Sequence, residues 1–258
     1  MYNQLQLREI FHIEFLRYLA GDMPAGLWAL KGGVNLRLFF KSIRYSEDMD
    51  IDVAELPVAS VKKRVMRILN SPSFRENLKT YGIVEIKPPD ITAAKQTATT
   101  QRFKVHIVSR AGEDYFTKVE FSRRGFQGVP VAEPVPAEVL RPYSMAPLVV
   151  PHYPAGIAAA QKISAVLSRS VLRARDIFDL YLLSAQVRPG EMKLPLPGKD
   201  ELAKARENIL EPGFELFRDT VAAYLAPEDR KIYASCGVWD EIKLKAAAFV
   251  EELGHADV

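Results

Sequence analysis

Apolar residues recur along this chain with two periods, and each period marks a kind of element. Leu7, Phe11, Phe15 and Leu19 return every four residues, which predicts an opening amphipathic helix that ends near Gly21. Trp28 to Leu30 then enters a first strand, and Val34, Leu36, Leu38, Phe39 and Phe40 predict a second helix. From Met49 to Val53 the period drops to two, because Met49, Ile51 and Val53 alternate with acids. Val58, Val61, Val65, Ile68 and Leu69 return to helical spacing, which stops near Asn70-Ser71-Pro72. Three runs with partial alternation follow, GIVEIK, RFKVHIVS and YFTKVEFS, read as strands. Helices before and between strands predict an α/β or α+β unit. Prolines 130, 134, 136, 142, 147, 151 and 154 then interrupt helices and sheet interiors alike, so a domain boundary is expected there. Beyond it the pattern is helical over Ile157 to Leu167, Leu172 to Ala185, Phe214 to Leu225 and Ile242 to Leu253, with a Pro- and Gly-rich break from Arg188 to Asp200.

The strand at Met49–Val53 carries the first chemical signal. A two-residue period puts Asp48, Asp50 and Asp52 on one face above an apolar underside. Three like charges so close repel, unless a divalent cation lies between two of them; Mg²⁺ prefers one or two carboxylates plus phosphate oxygens. A solvated edge strand would carry the same pattern. Upstream, Gly32-Gly33 permits a sharp turn and close backbone approach at the start of a helix, where free N–H groups favour anions. Together these features would hold a nucleoside triphosphate between backbone donors and a metal. Ser46 offers a hydroxyl to phosphate or satisfies a turn, and Lys31 offers a flexible cation or extends into solvent.

The segment LKGGVNLRLFFKSIRYSEDMDIDV resembles the nucleotidyltransferase superfamily, and more closely its AbiEii-type toxin branch: a glycine pair, a helix and an R-x-S-x-D-x-D strand, matched here by Arg44, Ser46, Asp48 and Asp50. The branch also carries a later helical lysine and an R-x-x-D-x-x-D helix, matched by Lys162 and by Arg173, Asp176 and Asp179. The resemblance spans roughly Leu30 to Leu183. It implies an α+β fold, a nucleotidyltransferase-like mixed sheet with flanking helices over 1–140, followed by a mostly helical domain over 141–258 that contributes to an active-site cleft. It implies Mg²⁺, with Mn²⁺ as the alternative, held by Asp48 and Asp50, and NTP as substrate, contacted by Lys31, Gly32, Gly33, Arg44 and Ser46. Superfamily members commonly use an acid from a later strand, and Glu120 in KVEFS is the strand candidate here; a surface salt bridge is its alternative. Lys162 is expected at a phosphate, or snorkelling to the surface, with Asp176 as an acid that orients it or substrate. Asp52, Asp179 and Arg173 are weaker candidates.

Composition narrows the setting. The 258 residues suffice for two modest domains, and 48% are hydrophobic. Cys236 as the single cysteine excludes an internal disulfide, and four scattered histidines offer no zinc-ligand spacing. No apolar run approaches membrane-spanning length and the polar start MYNQLQLREI is unlike a secretory signal, so a cytoplasmic location away from membranes is expected. Residues 1–140 hold 20 basic and 16 acidic side chains, 141–258 hold 15 and 16. Lys62-Lys63-Arg64 with Arg67, and Arg123-Arg124, either contact nucleic-acid phosphates or are solvated surface. The expected function is metal-dependent transfer of NMP from an NTP to an acceptor hydroxyl, as a toxin acting on tRNA and paired with a cognate antitoxin, as the resemblance implies. The alternatives are a protein or small-molecule acceptor, and a catalytically inactive nucleotide- or antitoxin-binding module.

Overall fold

The opening helix α1 (Gln4–Asp22) starts where Asn3 and Gln6 cap one another, each side chain accepting from the other's backbone N–H at 3.0 Å. Its stripe of Leu7, Phe11, Phe15 and Leu19 is buried, but so are Arg8, Glu9, His12 and Glu14 on other faces. The computed structural model describes residues 2–54, 56–90, 94, 96–187 and 197–255. They form two units, Met1–Phe39 with Tyr45–Tyr153 and Phe40–Arg44 with Pro154–Val258.

The first unit continues with β1 (Trp28–Lys31), α2 (Gly32–Phe39), β2 (Met49–Val53), α3 (Val58–Asn70), α4 (Pro72–Thr80), β3 (Ile83–Lys87), β4 (Thr100–Ser109), β5 (Asp114–Ser122), β6 (Val131–Pro134), α5 (Ala137–Leu140) and β7 (Val149–His152). The strands make one mixed sheet in the order β3-β4-β5-β2-β1-β7-β6, with β2/β5 and β1/β7 parallel and the other neighbours antiparallel. Trp28, Leu30, Met49, Ile51, Val53, Phe103, Val105, Val119 and Phe121 are buried from this sheet in the same core as α1, α3 and α4 residues. Each large side chain so buried stabilises the fold by about 1.5–3 kcal/mol. The expected α+β class holds, and one sheet face is left for polar chemistry.

Two departures have local causes. Ser71-Pro72, expected to end a helix, also starts the next: Pro72 is its first residue and Ser71 accepts from Phe74 N–H at 3.4 Å. The proline-rich stretch, expected to be a boundary, contains two strands. Pro134 is tolerated because β6 is an edge strand, and β7 joins β1 through Leu30↔His152 and a Tyr153 N–H to Leu30 carbonyl bond of 3.3 Å. Residues 141–153 therefore belong with the sheet, and the division falls after Tyr153 instead of at 140.

The second unit is helical: α6 (Ala155–Ser168), α7 (Ala174–Ser184), α8 (Lys199–Leu210), α9 (Phe214–Thr220), α10 (Pro227–Ile232) and α11 (Cys236–His255). Its core includes Trp239 stacked on Phe217 at 4.5 Å, with Phe178 6.0 Å from Phe217. The helix expected over Phe214 to Leu225 stops at Thr220 and continues as a 3₁₀ turn. Within the expected break from Arg188 to Asp200, 188–196 lie outside the described residues, whereas Lys199 and Asp200 already open α8. Among the described residues no helix is long and apolar enough to cross a membrane.

Candidate active site

Strand register assembles most of the expected site. Lys31 on β1, Asp50 on β2 and Glu120 on β5 are direct neighbours across three strands, and Asp52 pairs with Ser122 one row on. Asp48 precedes the first paired residue of β2, yet its carboxylate lies on the same side: Oδ2 is 2.7 Å from Lys118 Nζ and Oδ1 accepts from Lys118 N–H at 3.1 Å. The structure thus brings Lys31, Gly32, Asp48, Asp50 and Glu120 together.

The glycine pair divides its labour. Gly33 is buried in the first turn of α2. Gly32 has φ +69°, and a Cβ added there would lie 2.8 Å from Asp50 Oδ2. A side chain at Gly32 would therefore both strain the backbone, by about 1–2 kcal/mol, and press on the acid. Gly32→Ala is expected to lower kcat/KM by about tenfold or more, since 1.36 kcal/mol in the barrier is tenfold in rate. Steady-state label transfer beside a thermal melt checks this, and wild-type turnover in a folded variant would refute the need for close approach.

Asp52 is 1% exposed and serves as an anchor. It receives Lys31 Nζ at 2.6 Å and the Tyr153 hydroxyl at 2.8 Å. Burial, then the Asp52 carboxylate, pushes the Tyr153 hydroxyl well above its usual pKa, which keeps it a proton donor to that acid. Asn35 Nδ2 donates to the Tyr153 carbonyl at 2.9 Å. Lys31 is therefore held on the site's face instead of extending into solvent.

Three expected contacts are otherwise engaged. The Ser46 hydroxyl donates to the Asp48 carbonyl at 2.8 Å, shaping the turn into β2. Glu120 is ion-paired with Arg102 Nε at 2.6 Å, so its carboxylate is both beside Asp50 and partly neutralised. Arg44 is the third. It belongs to the helical unit and grips Asp179 at 3.0 Å to each carboxylate oxygen, with only 4% of its side chain exposed, because a buried guanidinium needs a paired acceptor.

In that helical unit Lys162 Nζ lies 2.9 Å from Asp176 and 2.6 Å from Asp179, and Arg169 lies 3.1 Å from Asp176. Burial works against the Lys162 charge, but Asp176 and Asp179 outweigh it and raise its pKa. Burial likewise favours neutral Asp176, yet Lys162 and Arg169 carry it below the usual carboxylate range. The lysine is thus a fixed, charged centre and not a snorkelling surface group. Arg173 sits at the N-cap of α7.

Among the described residues no group of three or more His, Cys, Asp or Glu side chains could hold a metal unaided. A pair of carboxylates suits Mg²⁺, which completes its octahedron with water and substrate phosphate. The Lys118 ammonium on Asp48 shows that this acid pairs with a cation, and the missing side chain at Gly32 lets Asp50 Oδ2 lie close against its backbone. The donor set therefore fits a divalent ion that arrives with a polyphosphate. Lys118, Tyr153, Asn35 and Arg102 were not singled out by the sequence. Lys118 shares the period-two face of Glu120, but nothing local marks Tyr153 or Asn35.

A mixed sheet with an acid-bearing strand beside a glycine-started helix is the frame of a nucleotidyltransferase, and solved structures share it. JHP933 from Helicobacter pylori is 18% identical, covering 99% of this chain and 94% of that one, with a TM-score of 0.58. MenT4, a nucleotidyltransferase toxin from Mycobacterium tuberculosis, is 18% identical over 96% of this chain and 84% of that one, also with a TM-score of 0.58. No curated protein matches the sequence. The chain belongs to the nucleotidyl transferase AbiEii toxin family of type IV toxin–antitoxin systems, whose sequence model matches residues 15–219.

Proposed function

We propose that this nucleotidyltransferase moves NMP from an NTP to a hydroxyl of an RNA, with tRNA as the acceptor, under control of a cognate antitoxin and in the cytoplasm. The observation that carries the catalytic reading is the row Lys31–Asp50–Glu120 with Asp48 beside it and Gly32 against Asp50. Asp48 and Asp50 would hold Mg²⁺, or Mn²⁺, which supplies neutralisation of phosphate charge and stabilisation of the leaving pyrophosphate. Lys31, steadied by Asp52, presents a cation to the triphosphate, and the Gly32-Gly33 backbone at the start of α2 admits phosphate oxygens. Glu120 accepts the proton of the attacking hydroxyl once Arg102 yields it. Lys162, kept charged by Asp176 and Asp179, is the helical unit's candidate for triphosphate charge, with Asp176 as the acid that orients it. Membership of a toxin–antitoxin family supports the antitoxin.

The competing acceptor is a protein or small molecule, and one observation favours it. Several basic groups expected to meet RNA are already engaged: Arg64 and Arg67 pair with Asp22, and Arg123 donates to the Ala98 and Leu56 carbonyls. The test is incubation with each α-labelled NTP, Mg²⁺ and total RNA or total protein at rising salt. Label in the tRNA band that falls steeply with salt supports the RNA reading. Label confined to protein or to a small product, with shallow salt dependence, overturns it.

A further inference from the structure

Asp48 needs an explanation that the ladder does not give. Pairing between β2 and β5 begins at Met49↔Val119, one residue after Asp48. Two consecutive residues of β5 hold this entry to β2. Lys118 donates its backbone N–H to Asp48 Oδ1 at 3.1 Å and sets its ammonium 2.7 Å from Oδ2 on the polar face. On the core face the Thr117 hydroxyl donates to the Glu47 carbonyl at 2.7 Å, gripping the peptide that enters Asp48.

The hydroxyl has its own partner in α1. His12 Nε2 lies 2.8 Å from Thr117 Oγ1. Because the Thr117 proton is committed to Glu47, His12 is the donor, and the chain reads His12 Nε2–H to Thr117 Oγ, Thr117 O–H to Glu47 carbonyl. Thr117 is 0% exposed and His12 2% exposed, so water does not compete for these groups. Burial, then the neighbouring Arg8, holds the imidazole pKa down at about 3, so His12 is neutral and keeps one N–H to give.

We propose that His12 and Thr117 are positioning residues for Asp48, setting its carboxylate for the divalent cation through the Glu47 peptide. This rests on the reading that Asp48 is a metal ligand. It adds that the ligand's aim is set from the hydrophobic side of the sheet by a helix that touches no substrate.

The test is Mn²⁺ binding in the presence of tripolyphosphate, followed by the loss of the free-ion electron paramagnetic resonance signal, on the full chain with circular dichroism as a folding check. Thr117→Val keeps the shape and removes the hydroxyl; it is expected to weaken binding about tenfold, the usual cost of losing an outer hydrogen-bond partner of a metal ligand. Thr117→Ser restores the hydroxyl and should return binding to near wild type, a rescue that a packing role would not predict. His12→Phe removes the donor and leaves the second bond, with about threefold weakening expected. It also carries the test should Thr117→Val fail to fold. Asp48→Asn separates the two claims. Loss of Mn²⁺ binding in Asp48→Asn with unchanged binding in Thr117→Val and His12→Phe would overturn the positioning role alone. Unchanged binding in Asp48→Asn would overturn the assignment of the ligand and the positioning role with it.

Discussion

Asp50→Asn is expected to lower nucleotidyl transfer by about 10³-fold or more, on the ground that a metal ligand's charge is worth several kcal/mol in the transition state. The replacement is close to isosteric, so the fit against Gly32 and the place between Lys31 and Glu120 survive while the negative charge does not. Stability should change little, because removing one of several close carboxylates relieves repulsion as well as removing attraction. Asp48→Asn should behave alike in transfer. Single-turnover release of pyrophosphate at saturating NTP and Mg²⁺ is the measurement, with a thermal melt beside it. Transfer within tenfold of wild type in the folded Asp50 variant would remove the metal pair from the chemistry.

The largest loss of stability is expected from Asp179→Ala in the helical unit. Asp179 is fully buried and serves two cations, Arg44 and Lys162. Truncating it leaves a guanidinium that is 4% exposed without its bidentate acceptor. Breaking a buried pair in this way costs about 3–5 kcal/mol. Denaturant titration read by Trp239 fluorescence, in a Trp28→Phe background, isolates this unit because Trp239 stacks on Phe217 within it. The sharper check is Asp179→Leu with Arg44→Met, which should recover much of the loss, since Lys162 keeps Asp176 as its partner and the guanidinium no longer needs one. A single Asp179→Ala variant as stable as wild type would mean that the cluster is not what holds α7 to Arg44.

What could be read from the sequence was what repeats over short distances. The period-two acids at Asp48, Asp50 and Asp52, the glycine pair and the helical stripe of α1 are each complete within about 20 residues, and local pattern gave their elements, although α1 buries Arg8, Glu9, His12 and Glu14 as well as its stripe. Roles set by distant partners were not legible. Asp52 belongs to the same alternating row as Asp50, yet Tyr153, a hundred and one positions away, makes it an anchor. Arg44 fits a nucleotide-site spacing, but its partner is Asp179, 135 residues on. β7 was hidden because proline argues against a sheet interior, and a four-residue strand with one register contact to β1 escapes that rule. α8 was hidden because only Leu202, Ala205 and Ile209 turn inward from a charged helix.

The short loop between α2 and β2 belongs to the helical unit: Phe40–Arg44 is grouped with residues beyond Pro154, its Phe40 carbonyl taken by Gln186 and its Arg44 by Asp179. The polypeptide therefore visits the C-terminal half before it has finished the sheet. A fragment ended after Tyr153 would contain every residue of the Lys31–Asp50–Glu120 row and would lack both the Gln186 amide that donates to the Phe40 carbonyl and the Asp179 carboxylate that pairs with Arg44. The C-terminal half is thus not a detachable appendix: the loop can make these two contacts only after synthesis has passed Gln186.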